Sequence, residues 1–337
     1  MLSRSTFRAA AGLLAGVTAL AVALAAFTSP GIERPRASAR ARGEVVAGVA
    51  DSLSVRERAA VAERVASSVD GDTTEVYRGL GTWIDIYDDA WDHPGVSVRD
   101  MAAAGVRTLY LQTSNFSRRS PFVHHPAGVA AFVDAAERNG IRTVAWYLPG
   151  FRDLELDLKR SLAAIGFETS GGNSFDSFAM DIESPEVVRP SVRTRRTMQL
   201  SERIRRIVGQ RYPLGAIIPS PLRMEVDHGY WPGFPYRGLA RVYDVILPMT
   251  YFTYRVNGPD GAHAYTAGNI DIIRRQTGNK SVPIHVIGGI GGDATEAETA
   301  GFVDAVRGRR AIGGSYYTFP ITRPADWSKL ERLRSTR

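Results

Sequence analysis

From Tyr77 to the C-terminus, short runs of β-branched and aromatic residues alternate with longer segments in which apolar residues recur every three or four positions. Runs of the first kind predict strands, and the longer segments predict amphipathic helices. Eight strand-like runs can be read, at residues 80–87, 108–113, 143–148, 177–183, 215–219, 245–251, 284–288 and 314–319. Helical stretches at 98–104, 128–139, 154–165, 193–210, 269–276, 296–307 and 327–333 separate them, with only a short one at 237–241. Regular alternation of the two is the pattern of βαβ units on a parallel sheet. Eight units within residues 77–337 match the usual size of a (β/α)8 TIM barrel. A doubly wound open sheet fits less well. It ordinarily holds fewer units and opens on a glycine-rich turn, whereas the first strand here runs into Asp88-Asp89-Ala90-Trp91.

Ahead of the barrel the pattern changes. Arg4 and Arg8 precede an unbroken run of apolar and small residues at 9–27, the basic-then-hydrophobic layout of an export signal. Residues 1–28 are therefore expected either to be cleaved, at Ala23-Leu24-Ala25 or Ala37-Ser38-Ala39, or to stay in the bilayer as an anchor with the arginines inside. Residues 29–76 read as a linker: 28–43 are rich in Pro, Arg, Ala and Ser, and 54–69 form a short amphipathic helix that caps the barrel floor or extends the stalk. The expected location is secreted or membrane-anchored, with the barrel on the extracytoplasmic side.

Composition narrows the chemistry. The fractions of hydrophobic (44%) and charged (23%) residues are those of an ordinary globular protein. With no cysteine, there is no disulfide framework, thiol nucleophile, cysteine-held metal or lipidated cysteine. Of the formal +7, residues 1–43 carry five charges, from six arginines against one glutamate, so the barrel is nearly neutral. That argues against a nucleic-acid partner, which calls for a basic face on the folded domain. The arginines between 193 and 206 are interleaved with Met198, Leu200 and Ile204 and read as a solvated helix face.

Side chains on a barrel strand alternate between the interior and the helix layer. On the fourth strand Phe178, Met180 and Ile182 sort to the helices, while Ala179, Asp181 and Glu183 sort inward, the acids at the C-terminal mouth where such barrels carry active sites. Two inward carboxyls are costly unless paired or used. They are either scaffolding, bonded to loop backbone or an arginine, or chemistry, and the Ser184-Pro185 turn and long loop that follow favour chemistry. The first strand puts Trp83, Asp85 and Tyr87 on its inner face by the same alternation. Sugars offer apolar C–H faces to aromatics and hydroxyls to carboxylates, so Trp83, Tyr87, Trp146, Tyr147, Tyr251, Tyr254, Tyr316 and Tyr317 at strand ends make a candidate saccharide cleft, with core packing the alternative for each.

The stretch Phe175-Asp176-Ser177-Phe178-Ala179-Met180-Asp181-Ile182-Glu183 resembles the fourth-strand signature of chitinase-like family 18 glycoside hydrolases, acids at alternate positions ending in glutamate. Asp176, Asp181 and Glu183 match its first, third and last acids, and Ala179 replaces the second. Met249-Thr250-Tyr251-Phe252 is similar to the family's Met-x-Tyr-Asp, with Phe252 in place of the acid. Lysozyme-like family 25 barrels are matched through Asp85, Asp181 and Glu183. The resemblance implies that Glu183 protonates the leaving glycosidic oxygen and later activates water, its pKa raised by burial and by Asp181. It further implies that Asp181 and Tyr251 hold a 2-acetamido group as internal nucleophile if the substrate has one. Otherwise Asp85, across the mouth, serves as nucleophile or base. The missing acids at Ala179 and Phe252 leave open a second class, a barrel that binds glycans without cutting them.

Gly288, Gly289, Gly291 and Gly292 follow the seventh strand, where many barrels bind phosphate, so a phosphate-ester or phosphosugar enzyme is a third class, with a plain glycine turn as its alternative. His124-His125 and Asp88-Asp89 lack the second spaced histidine of a metal site. Gly-x-Ser-x-Gly, a dinucleotide fingerprint and a P-loop are all missing, so no cofactor is expected. The reading is a glycoside hydrolase acting on a cell-wall or extracellular polysaccharide, with membrane contact only through the N-terminal segment.

Overall fold

The computed structural model describes residues 55–68 and 71–335. The export or anchor segment expected at 1–28 lies outside them, as does most of the linker. Among the described residues, no helix is long and apolar enough to cross a membrane.

Eight parallel strands close on themselves in sequence order, each hydrogen-bonded to the next and the last to the first. They are β1 (Gly79–Ile84), β2 (Thr108–Asn115), β3 (Arg142–Leu148), β4 (Ser177–Asp181), β5 (Leu214–Pro219), β6 (Val245–Met249), β7 (His285–Ile290) and β8 (Gly313–Tyr317). The helices are α1 (Val55–Ser68), ahead of the barrel, then α2 (Pro94–Ala103), α3 (Pro126–Arg138), α4 (Leu154–Ile165), α5 (Pro190–Val208), α6 (Pro221–Val226), α7 (Tyr236–Val242), α8 (Gly258–Thr277), α9 (Glu296–Gly308) and α10 (Pro324–Leu330). The alternation read from the sequence is thus the alternation of the fold. The strands β1, β4 and β6 end earlier than read, at Ile84, Asp181 and Met249, so Asp85, Tyr87, Glu183 and Tyr251 lie in the loops that follow, and two helices differ as well. Helix α8 begins eleven residues earlier than expected, because Gly258, Gly261 and Gly268 dilute its apolar pattern, and the short α6 was not foreseen.

Apolar residues form two layers. The outer one, between strands and helices, includes Phe178, Met180 and Ile182 of the β4 segment and Phe252 and Phe302. The inner one fills the barrel with Trp83, Tyr110, Trp146, Ala179, Ile217, Leu247 and Ile287, so the interior is packed rather than open. Its floor is Val76 and Tyr77. The Tyr77 hydroxyl reaches across to Ser177 Oγ (2.5 Å), and the Tyr77 carbonyl oxygen lies 2.8 Å from His285 Nδ1. A Cβ on Gly215 would lie 2.7 Å from that hydroxyl, so glycine is required where the floor passes β5.

The amphipathic helix α1 therefore does not cap the floor. It packs on the flank against α4 and α5, with Val65 buried. Arg64 bonds the carbonyl of Gly166 and lies 3.5 Å from Glu168, and Val61 covers Gly166. The arginines of α5 also differ from a solvated face. Arg193 and Arg205 are buried, Arg205 paired with Asp244 at 2.6 Å, and Arg203 pairs with Glu155 at 2.7 Å.

Candidate active site

The strands end at or just before the candidate acids, so the site is built from strand ends and the first residues of the βα loops. Asp181 is the last residue of β4 and Glu183 lies two beyond it. Asp181 is buried, with 2% of its surface exposed. Trp146 Nε1, on the neighbouring β3, donates to Asp181 Oδ2 at 3.0 Å, whereas Oδ1 has no partner. Burial, and then the charge of Glu183, push the Asp181 carboxyl well above the usual carboxylate range. Glu183 is only partly exposed, and desolvation lifts it to about 7. Burial thus pushes both carboxyls toward their protonated forms, in which either can donate.

Directly below Asp181 on the inner face stands Ala179, fully buried. Its methyl group offers the free Oδ1 no hydrogen-bonding partner. Asp176, the first acid of the pattern, lies at the opposite end of the strand. It accepts from the Thr143 amide at 2.7 Å and pairs with Arg142 at 3.5 Å, pinning β4 to β3.

Tyr251 follows β6 in a left-handed backbone conformation, φ 32°, and stays partly exposed. Its phenol is pushed up by burial and then by Glu183, Asp181, Tyr254 and Asp85. The ring of Tyr317, 6.2 Å from that of Tyr251 and 6.1 Å from that of Trp146, links the Asp85 side of the mouth to the Asp181 side. On the far wall, the Tyr317 hydroxyl donates to Asp85 Oδ2 at 2.6 Å and the Tyr87 amide donates to Oδ1 at 2.7 Å. Tyr317 stands edge-on to Trp146. Beside it, Asp88 accepts from the Asp85 amide and is lifted to about 7, first by burial and then by the Asp85 charge.

The other expected cleft residues divide. Trp146 faces the mouth, and Trp83 lies beneath it, buried, stacked on Tyr110 at 4.0 Å and bonded to Ser315 Oγ. Tyr254 lies 6.4 Å from Tyr251 and is partly exposed, and Tyr87 is 66% exposed at the rim. Tyr147 and Tyr316 are not cleft residues. Each is next to an inward residue and so faces the helices, Tyr147 bonding Asp157 of α4 at 2.6 Å and Tyr316 bonding Thr299 of α9 at 3.0 Å. Tyr230, which the sequence did not single out, caps the Glu183 carbonyl with its hydroxyl at 3.0 Å. It sits in the irregular segment between α6 and α7, where strand alternation carries no signal.

Of the four glycines expected after the seventh strand, Gly288 and Gly289 lie within β7 and only Gly291 and Gly292 follow it, and close packing accounts for glycine at two of them. A Cβ on Gly288 would lie 2.3 Å from the Phe302 ring, and one on Gly291 2.7 Å from the Thr322 amide. Among the described residues, no group of three acid or histidine side chains is arranged to hold a metal ion.

The chain matches no protein-family model, and no curated protein is similar to it in sequence. Solved structures do share its fold. A family GH18 chitinase from Cycas revoluta, in complex with allosamidin, matches at a TM-score of 0.54 and 11% identity, over 76% of this chain and 99% of that one. The spore cortex-lytic enzyme of Bacillus cereus matches at 0.55 and 8% identity, over 76% and 74%. A chitinase-like agglutinin from Robinia pseudoacacia matches at 0.51 and 12% identity, over 76% and 99%. At these identities the likeness is one of fold. The chain is a (β/α)8 barrel of the kind found in family 18 glycoside hydrolases.

Proposed function

We propose that this protein is a glycoside hydrolase acting on an extracellular aminoglycan, with Glu183 as acid/base and Asp181 as its partner. The observation that carries the reading is the Asp181 carboxyl, buried at the mouth beside Glu183 with one oxygen unpartnered. An amide N–H of a 2-acetamido group would satisfy that oxygen, and the Tyr251 hydroxyl can donate to the amide oxygen. So held, the acetamido group attacks the anomeric carbon as Glu183 protonates the leaving oxygen, and Glu183 then activates water. Asp85 has both oxygens engaged by fixed donors, which suits a positioned counter-charge better than a nucleophile.

The test is reducing-end release by the purified protein from chitin, peptidoglycan, galactosaminoglycan and α- and β-glucan fragments, beside Glu183→Gln. Release from an N-acetylated glycan, lowered by about 10³-fold in the variant, is expected. Absence of release together with retained affinity for one glycan would instead establish a binding barrel, the reading that Ala179 beneath Asp181 and the outward-packed Phe252 favour.

A further inference from the structure

The carboxyls at the mouth are held unequally. Asp181 accepts from the Trp146 indole, and Asp85 from the Tyr317 phenol and the Tyr87 amide. Among the described residues, Glu183 is bonded only through its backbone. A group that protonates a leaving oxygen must stand within about 0.5 Å of its working position, so here the backbone has to supply the precision. The sheet does not supply it. The last amide of the β4 segment held by β5 is that of Ile182, which donates to the Ile217 carbonyl at 2.8 Å, and Glu183 lies beyond it.

What holds Glu183 comes from outside the ladder of strands. The Tyr230 hydroxyl donates to its carbonyl oxygen at 3.0 Å. The next carbonyl, of Ser184, lies 3.5 Å from Arg193 Nη1 on α5. The same guanidinium donates through Nη2 to the Tyr230 carbonyl at 2.8 Å and lies over the Trp231 ring at 4.0 Å. Trp231 in turn donates its indole N–H to Thr194 Oγ1, one residue along α5, at 2.9 Å. Arg193 and Trp231 are both buried, so a hydroxyl carried on an irregular segment is tied to a helix at two points. Burial, and then the charge of Glu183, push the Tyr230 phenol up, which keeps it a donor.

We infer that Tyr230 is a positioning residue for Glu183: its hydroxyl fixes the backbone from which the acid/base carboxyl stands, and Arg193 and Trp231 fix Tyr230. This rests on the glycosidase reading and adds to it a residue that acts through the backbone.

The experiment labels the full chain with ¹³C at the glutamate side-chain carboxyls, assigns Glu183 by the resonance lost in Glu183→Gln, and compares its titration in the unaltered protein and in Tyr230→Phe. Loosening the backbone lets the carboxyl turn toward water, so Tyr230→Phe is expected to move the titration from about 7 down toward the ordinary carboxylate range. Exchange of a phenol for a less polar ring would by itself leave the titration in place or raise it, and either result overturns the inference. Tyr243→Phe, which takes a buried hydroxyl from Ser201 further along α5, controls for general loss of stability and is expected to leave the titration unmoved; an equal fall there also overturns the inference. On a glycan that the protein cleaves, Tyr230→Phe is expected to lower kcat about tenfold with KM little altered. A raised KM with unchanged kcat would make Tyr230 a substrate contact, overturning its positioning role while leaving the glycosidase intact. If no glycan is cleaved the glycosidase reading falls, and the titration still decides for or against the hold of Tyr230 on Glu183.

Discussion

At the residue scale, Glu183 makes the sharpest demand. Its carboxyl is raised to about 7 by burial, so the acid form needed to protonate a leaving group exists below that pH and is lost above it. The rate is therefore expected to fall on the alkaline side with an apparent pKa near 7, read from a kcat/KM profile. The same shift bears on stability. A group whose folded pKa is raised supports the fold fully below the ordinary carboxylate range, and that support is lost as pH rises through about 7. Glu183→Gln removes the cost of ionising a buried group, so its melting temperature at pH 8 is expected to exceed that of the parent by a few degrees. That gain should vanish near pH 4.5. Alternation along strands made the inward acids and Trp83 legible in the sequence. It could have divided the pairs Trp146-Tyr147 and Tyr316-Tyr317 as well, since adjacent strand residues cannot share a face. The aromatic character of Tyr147 and Tyr316 concealed what their positions declared.

At the scale of elements, the mouth is held by helices that never reach it. Helix α4 carries Asp157, which accepts from Tyr147 and from the amides of Gly150 and Phe151, and Arg160, whose guanidinium donates to the carbonyls of Asn115, Ser117 and Ser120. One buried arginine thus fixes the loop after β2. Arg160→Met leaves those carbonyls without a donor and is expected to cost about 3 kcal/mol or more, read as a drop in the urea midpoint with unchanged slope. Arg193 works similarly on α5, lying over the Trp231 ring at 4.0 Å and donating to the Tyr230 carbonyl. These roles were hidden because arginine in a helix normally reads as surface, and only tertiary packing shows which guanidinium is enclosed. The strands and most helices were legible because each repeats one period. The loops repeat none, which is why Tyr230 and α6 were not foreseen.

At the scale of the whole molecule, the barrel depends on a residue ahead of its first strand. Tyr77 is fully buried, spans the interior from β7 to β4 and is the largest part of the floor. Tyr77→Ala would leave a cavity where the inner layers meet and is expected to lower stability by about 4 kcal/mol, measured by thermal or denaturant unfolding, with catalytic constants at low temperature little altered. The floor also fixes how material moves. A barrel shut at one end is a cul-de-sac, so no polymer can be threaded through it, and whatever enters by the mouth must leave by the mouth. On the proposed function, a long glycan lies across the opening like a rope over a covered well, reaching only the groups at the rim, because Trp83 and Tyr110 fill what lies beneath.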